Sequence, residues 1–205
     1  MSFFIGLDLG QIQDYTALTV VEFKQRTHVG AKERADHHCR YLRRWPLGTT
    51  YPAICEDIKQ MLMRLNDSRL VVDATGVGRP VVDLLREFNL QPTSVTITSG
   101  TASGSDGYGG YTVPKRELIS NLQVLLQTNH LKFAADMPEV QTLLDELLSF
   151  QVKTTIVGHD IYEAWREGKH DDLVLALALA CWYGEHHGYV YQPLPPRHKL
   201  PQCIG

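Results

Sequence analysis

The chain has 205 residues, 43% of them hydrophobic, which is enough to bury one core and short for two ordinary domains. Its 20 Lys and Arg against 23 Asp and Glu leave a net charge of −3, which excludes a globally basic nucleic-acid binder and leaves any polyanion contact to local patches. Cys39, Cys55, Cys181 and Cys203 form no C-x-x-C pair and no secretory signal precedes the first apolar run, so the chain reads as reduced and cytoplasmic.

In chain order, Phe3 to Asp8, Thr16 to Glu22 and Cys39 to Trp45 read as three strands in an antiparallel meander. Ile54, Ile58, Met61, Leu62 and Leu65 then recur at helical spacing behind Pro52. A strand from Arg69 to Asp73, a turn through Gly76 and Gly78, and a helix with Val81, Val82, Leu84, Leu85 and Phe88 inward lead to a strand from Thr93 to Thr98. Such a crossover demands parallel pairing. The predicted fold is therefore a mixed α/β sheet, three antiparallel strands followed by parallel ones, flanked by helices.

Ser99 to Tyr111 is rich in glycine and serine and predicts a surface loop. Pro114 opens a helix with Leu118, Ile119, Leu122, Leu125 and Leu126 inward. Asp136 to Glu139 caps another, with Val140, Leu143, Leu144, Leu147 and Leu148 inward. Phe150 to Val157 and Asp160 to Trp165 are expected to form a hairpin about Gly158 and His159, followed by a last helix from Asp171-Asp172. That helix carries the longest apolar run, Leu173 to Trp182, about half of the ~20 residues a membrane span needs, so it reads as a buried core helix. Residues 1–190 are expected to form one domain and 191–205 a proline-rich tail.

Carboxylates mark three of these junctions. Asp8 ends the first strand, Asp73 ends a later one, and Asp171-Asp172 head the apolar helix, where the helix dipole favours negative charge. An ionised carboxylate at the end of an apolar strand is costly to desolvate unless a positive group neutralises it. Two strand ends and a helix start converging on one cation satisfy that need, and oxygen donors suit the hard ions Mg²⁺ and Mn²⁺. Gly6 and Gly10 flank Asp8 and leave room for a ligand, a pattern shared with actin-like phosphotransferases. Asp73-Ala74-Thr75-Gly76-Val77-Gly78 has the look of a phosphate loop, but no G-x-x-x-x-G-K-[ST] occurs in the chain, which disfavours ATP binding.

Together, Gly6-Leu7-Asp8 with Asp14 downstream, Val71-Val72-Asp73 with Gly76 and Gly78, and Gly168-Lys169-His170-Asp171-Asp172-Leu173 resemble the nuclease domain of the large terminase subunit of tailed bacteriophages, a member of the ribonuclease H-like superfamily. The resemblance runs from Phe3 to about Tyr183. It implies a metal-dependent endonuclease that cuts double-stranded DNA during genome packaging with two divalent cations, Mg²⁺ or Mn²⁺. By position, Asp8 would bridge both ions, Asp73 would be the ligand of the second strand and Asp171 that of the last helix, with Asp172 an additional or outer ligand. Lys169 and His170 would contact phosphate or support the ligands. Family members often carry a further acid one turn later, where this chain has Leu175. The family's ATPase motor would be a partner, in trans or in a longer parent chain.

DNA contact is expected from the basic stretch Lys32 to Arg44, with Arg40, Arg43 and Arg44 prominent, and from Lys115 and Arg116. The competing readings are a junction-resolving or repair nuclease on the same fold, a nucleotide-dependent phosphotransferase of the actin-like kind, and a packaging component without catalysis. The glycine-rich loop from Ser99 to Tyr111 is a candidate regulatory segment.

Overall fold

The computed structural model describes residues 2–10, 14–24, 35–76, 78–156 and 170–188. Its strands are β1 (Ser2–Asp8), β2 (Ala17–Lys24), β3 (Asp36–Arg44), β4 (Ser68–Asp73), β5 (Thr93–Thr98), β6 (Gly104–Ser105), β7 (Tyr111–Pro114) and β8 (Leu131–Phe133). The helices are α1 (Tyr51–Leu62), α2 (Gly78–Glu87), α3 (Lys115–Gln127), α4 (Val140–Ile156) and α5 (Asp172–His187).

The strands form one eight-stranded sheet in the order β6-β7-β5-β4-β1-β2-β3-β8. β1, β2 and β3 pair antiparallel, as the meander predicts. β4 lies parallel to β1, β5 to β4 and β7 to β5, as the helical crossovers require. Alternation along β1, β2 and β4 sends their apolar residues to opposite faces. On one face Ile5, Leu7, Leu18, Val20, Leu70 and Val72 pack with Ile54, Ile58, Val81 and Leu85 of α1 and α2. On the other, Phe4, Val21, Val71 and Val95 pack with α3, α4 and α5.

α5 is apolar around nearly its whole circumference because it is buried on all sides, with Leu173 to Trp182 under the sheet and the other helices. It lies so close to β1 that a Cβ on Gly6 would stand 1.8 Å from the carbonyl oxygen of Ala176. Gly6 therefore makes room for a helix backbone, and Gly10 for the backbone of Asp14 and Tyr15, rather than for a ligand. Ala176 sits opposite Gly6 and Gly184 beside Phe4, so α5 runs antiparallel to β1 and brings its N-terminus back to Asp8.

Several local expectations need correction. The strand expected over Phe150 to Val157 is instead the continuation of α4 to Ile156, since propagating an established helix adds a hydrogen bond per residue without needing a sheet partner. The second half of that hairpin and the tail lie outside the described residues. Leu144 and Leu148, expected inward, are exposed, while Leu143 is fully buried. The expected loop from Ser99 to Tyr111 contains a short antiparallel pairing of β6 with the start of β7. β8 follows no apolar pattern long enough to read, yet it pairs parallel with β3 through His37 to Cys39.

Candidate carboxylate site

The C-terminal ends of β1 and β4 lie side by side, because Leu7 pairs with Val72 and the next residues along are Asp8 and Asp73. This is the edge of an open α/β sheet where ligands generally bind. α5 adds Asp171 and Asp172 from the other side. The fold thus brings together four carboxylates that sequence reasoning singled out.

Asp8 is buried, and its carboxyl is pushed well above the usual range, first by burial and then by the charges of Asp73, Asp172 and Asp171, with Lys115 opposing. Asp73 is also raised, mainly by burial, although it accepts a hydrogen bond from the Thr75 backbone N–H at 2.8 Å. That bond closes the turn after β4, which is tight enough for Gly78 to lie against the Asp73 carbonyl.

The two neighbours on α5 have different surroundings. Asp171 is partly open and accepts from Lys115 Nζ of α3 at 3.1 Å. Asp172 is buried and accepts from Arg44 Nη2 of β3 at 3.0 Å. Burial raises the Asp172 carboxyl, and Arg44 opposes the shift. The Arg44 guanidinium lies over the Tyr15 ring, 4.0 Å from its centroid, and reaches Glu146 Oε1 of α4 at 3.7 Å. Glu146 Oε2 accepts from the backbone N–H groups of Leu173 and Val174, each at 3.1 Å. Burial pushes the Glu146 carboxyl up to about 7. His170 is about half exposed, edge-on to Tyr15, with Nδ1 3.9 Å from Asp172 Oδ2.

Lys169 lies outside the described residues. The basic residues expected on DNA are dispersed. Arg44 and Lys115 join the carboxylates. Arg40 is exposed and pairs with Glu22, Arg43 pairs with Asp57 and stacks on Trp45, and exposed Arg116 donates to the Thr101 carbonyl.

Glu146 and the inward role of Arg44 escaped sequence reasoning. For Glu146 there was a signal: it stands three residues after Leu143, on the buried stripe of α4, where an acid is out of place. For Arg44 there was none. β3 carries a bulge, with Val21 opposite Cys39 but Val20 opposite Tyr41, so Arg40 is the extra residue. A bulge reverses the facing of every residue beyond it. It turns Arg44 towards α5 and sends Arg43 to Asp57 of α1.

The donors are all carboxylate oxygens, the type that Mg²⁺ and Mn²⁺ prefer, and the mutual repulsion that raises Asp8 is what a divalent cation would relieve. In chemical type the residues fit such ions. In their present arrangement no three His, Cys, Asp or Glu side chains among the described residues form a ready cage, and Lys115 and Arg44 engage Asp171 and Asp172 instead.

Residues 5–183 match the family model described as the terminase RNaseH-like domain. The chain is 27% identical over 184 residues to the large terminase subunit of Thermus phage G20c and 28% identical to that of Thermus virus P23-45, covering 90% of this chain in both cases. It spans about a third of the length of these relatives, 32% of each. Among solved structures it resembles the large terminase nuclease from thermophilic phage G20c, with a TM-score of 0.60, 23% identity and coverage of 90% of this chain and 82% of that one. It also resembles the human cytomegalovirus terminase nuclease domain, with a TM-score of 0.54, 14% identity and coverage of 89% and 82%. The eight-stranded mixed sheet, the acids at its edge and the match over residues 5–183 agree: the chain belongs to the terminase RNaseH-like domain family.

Proposed function

We propose that this chain is a divalent-metal-dependent endonuclease that cuts double-stranded DNA during viral genome packaging. The observation that carries the reading is the convergence of Asp8, Asp73, Asp171 and Asp172 at one sheet edge, with Asp8 buried among the others' charges. Family membership supports it, and so does the description of two relatives of like fold as terminase nucleases.

Asp8 and Asp73 would hold Mg²⁺ or Mn²⁺ from the strand ends, and Asp171 and Asp172 from the helix. When bound, two such ions supply an activated water and stabilise the departing oxygen of a phosphodiester. The chain's own residues set the conditions. Burial of Asp8 keeps bulk water from screening its charge, and cation binding there would strengthen with pH as the carboxyl ionises. Lys115 and Arg44 neutralise Asp171 and Asp172 until a metal competes for them. Lys115, a compact point charge that reads no sequence, is the cation nearest Asp171 and a candidate contact for a DNA phosphate beside the site. Arg40 and Arg116, exposed but engaged with Glu22 and the Thr101 carbonyl, would add phosphate contacts only by exchanging those partners, and Arg43 by leaving Asp57. The natural setting we infer is a packaging complex whose ATPase motor lies in the same parent chain or in a partner.

The test is cleavage of supercoiled plasmid with Mg²⁺, with Mn²⁺ and with EDTA, beside folded Asp8→Asn, Asp73→Asn and Asp171→Asn variants. Metal-dependent cutting that vanishes in the variants is expected. Cutting by the wild type that survives in all of them overturns the assignment of the site.

A further inference from the structure

The geometry points to Glu146 as a positioning residue of the carboxylate site: from α4 it fastens the first turn of α5, and with Arg44 it sets where Asp172, and through the helix start Asp171, stand relative to Asp8. The inference rests on the metal-site reading above.

Helix starts leave backbone N–H groups without intrahelical partners, and a short capping side chain usually accepts them. At α5 the residue in that place, Asp171, makes no side-chain cap, because its carboxylate is turned to Lys115. The N–H groups of Leu173 and Val174 are satisfied instead by Glu146 Oε2, reaching across from another helix. These two residues directly follow Asp172. A cap that used Asp171 itself would hold its carboxylate against the helix backbone; the remote cap leaves that carboxylate to Lys115 and the Asp172 carboxylate to Arg44, beside Asp8.

The second link runs through Arg44. Its guanidinium stands between Glu146 Oε1 and Asp172 Oδ2 and rests on the Tyr15 ring. Glu146 Oε1 is buried, has no hydrogen-bond partner among the described residues, and faces the Arg44 charge at 3.7 Å. Three elements, β3, α4 and α5, are thereby tied at one point behind the acids. Placing a fifth carboxylate near four others is electrostatically unfavourable, and fastening the helix start is what that placement achieves. Outer partners that orient metal ligands commonly matter to metal affinity by roughly 10- to 100-fold.

The experiment measures Mn²⁺ occupancy by titration of the free-ion paramagnetic resonance signal, together with the Mn²⁺ dependence of plasmid cleavage, in wild type, Glu146→Ala, Glu146→Gln and Asp8→Asn, each with its melting temperature. Folded Glu146→Ala should need roughly 10- to 100-fold more Mn²⁺ in both readouts, at an unchanged KM for DNA. Glu146→Gln, whose amide oxygen still accepts both N–H groups but which loses the charge facing Arg44, should recover part of that loss. A folded Glu146→Ala protein with wild-type Mn²⁺ dependence overturns the proposal, as does a Glu146→Gln protein no better than Glu146→Ala. Should Glu146→Ala not fold, Glu146→Asp takes its place: it keeps the charge but lacks the reach, and a wild-type metal dependence there overturns the proposal equally. Asp8→Asn separates the two readings, since Mn²⁺ binding and cleavage that persist without Asp8 remove the metal site itself, whatever Glu146 does.

Discussion

Asp171 and Asp172 are adjacent in sequence and belong to the same helix start, yet they occupy opposite physical regimes. Asp171 is partly open, paired with a lysine whose own side chain is about a quarter exposed. Asp172 is buried against an arginine that also serves Glu146 and stacks on Tyr15. Neighbours on a helix point about 100° apart, and here that rotation separates an adjustable carboxylate from a fastened one. The difference teaches that a pair of acids in a motif need not be two equivalent ligands. One carboxylate has a partly solvated partner and the other a buried one.

The strongest way to break this comparison is to remove the carboxylate that both sides face. Asp8→Asn should lower metal-dependent cleavage by on the order of a thousandfold, about 4 kcal/mol of barrier at 1.36 kcal/mol per decade. In EDTA at neutral pH the same variant should melt higher than wild type, because a buried carboxylate held among like charges is replaced by a neutral amide. Plasmid cleavage and thermal melting check the two halves.

The next effect concerns the cations. Arg44→Met leaves Asp172 and Glu146 buried without their shared positive charge and should cost about 3 kcal/mol, roughly 6–12 °C in melting temperature for a chain of this size. Lys115→Met breaks a more solvated pair and should cost under about 1 kcal/mol. Equal losses in the two variants would erase the distinction between the two sides.

A pH series sharpens the same point. Asp8, Asp73, Asp172 and Glu146 are all raised above their ordinary values, Glu146 to about 7. A carboxyl raised in the folded state contributes stability that is fully present below its unfolded pKa and is lost as pH rises through its folded pKa. Metal-free protein should therefore lose stability from about pH 3.8 upwards, with the Glu146 part lost between about pH 4.5 and 7. Saturating Mn²⁺ should reverse the slope, since the ion binds the ionised forms. Melting curves in EDTA and in Mn²⁺ across that range measure both slopes.

The smallest structural effect is expected at the β6–β7 tip. Residues 101–109 are all exposed, Tyr108 at 95%. Deleting Gly104 to Gly110 should leave the melting temperature within about 2–4 °C, under roughly 1 kcal/mol, while altering cleavage rate or metal dependence. Unchanged kinetics would remove that segment from any regulatory role.

The local pattern of the chain was sufficient for the central strands, the crossover, the buried last helix and the position of the four aspartates at two strand ends and a helix start, because period-2 and period-3.6 spacing and strand-end acids are properties of neighbouring residues. Tertiary structure alone decided the rest. The bulge at Arg40 selects Arg44 over Arg43 for the acid site, and a one-residue insertion leaves no trace in composition or period. β8 exists because β3 offers it a partner over three residues. Glu146 becomes a cap only where α4 crosses the start of α5, and Lys115 meets Asp171 only because α3 returns along the same face. A sequence determines which residues can carry charge into a core; which charges meet there depends on contacts between segments distant along the chain, and those are settled only when the core closes.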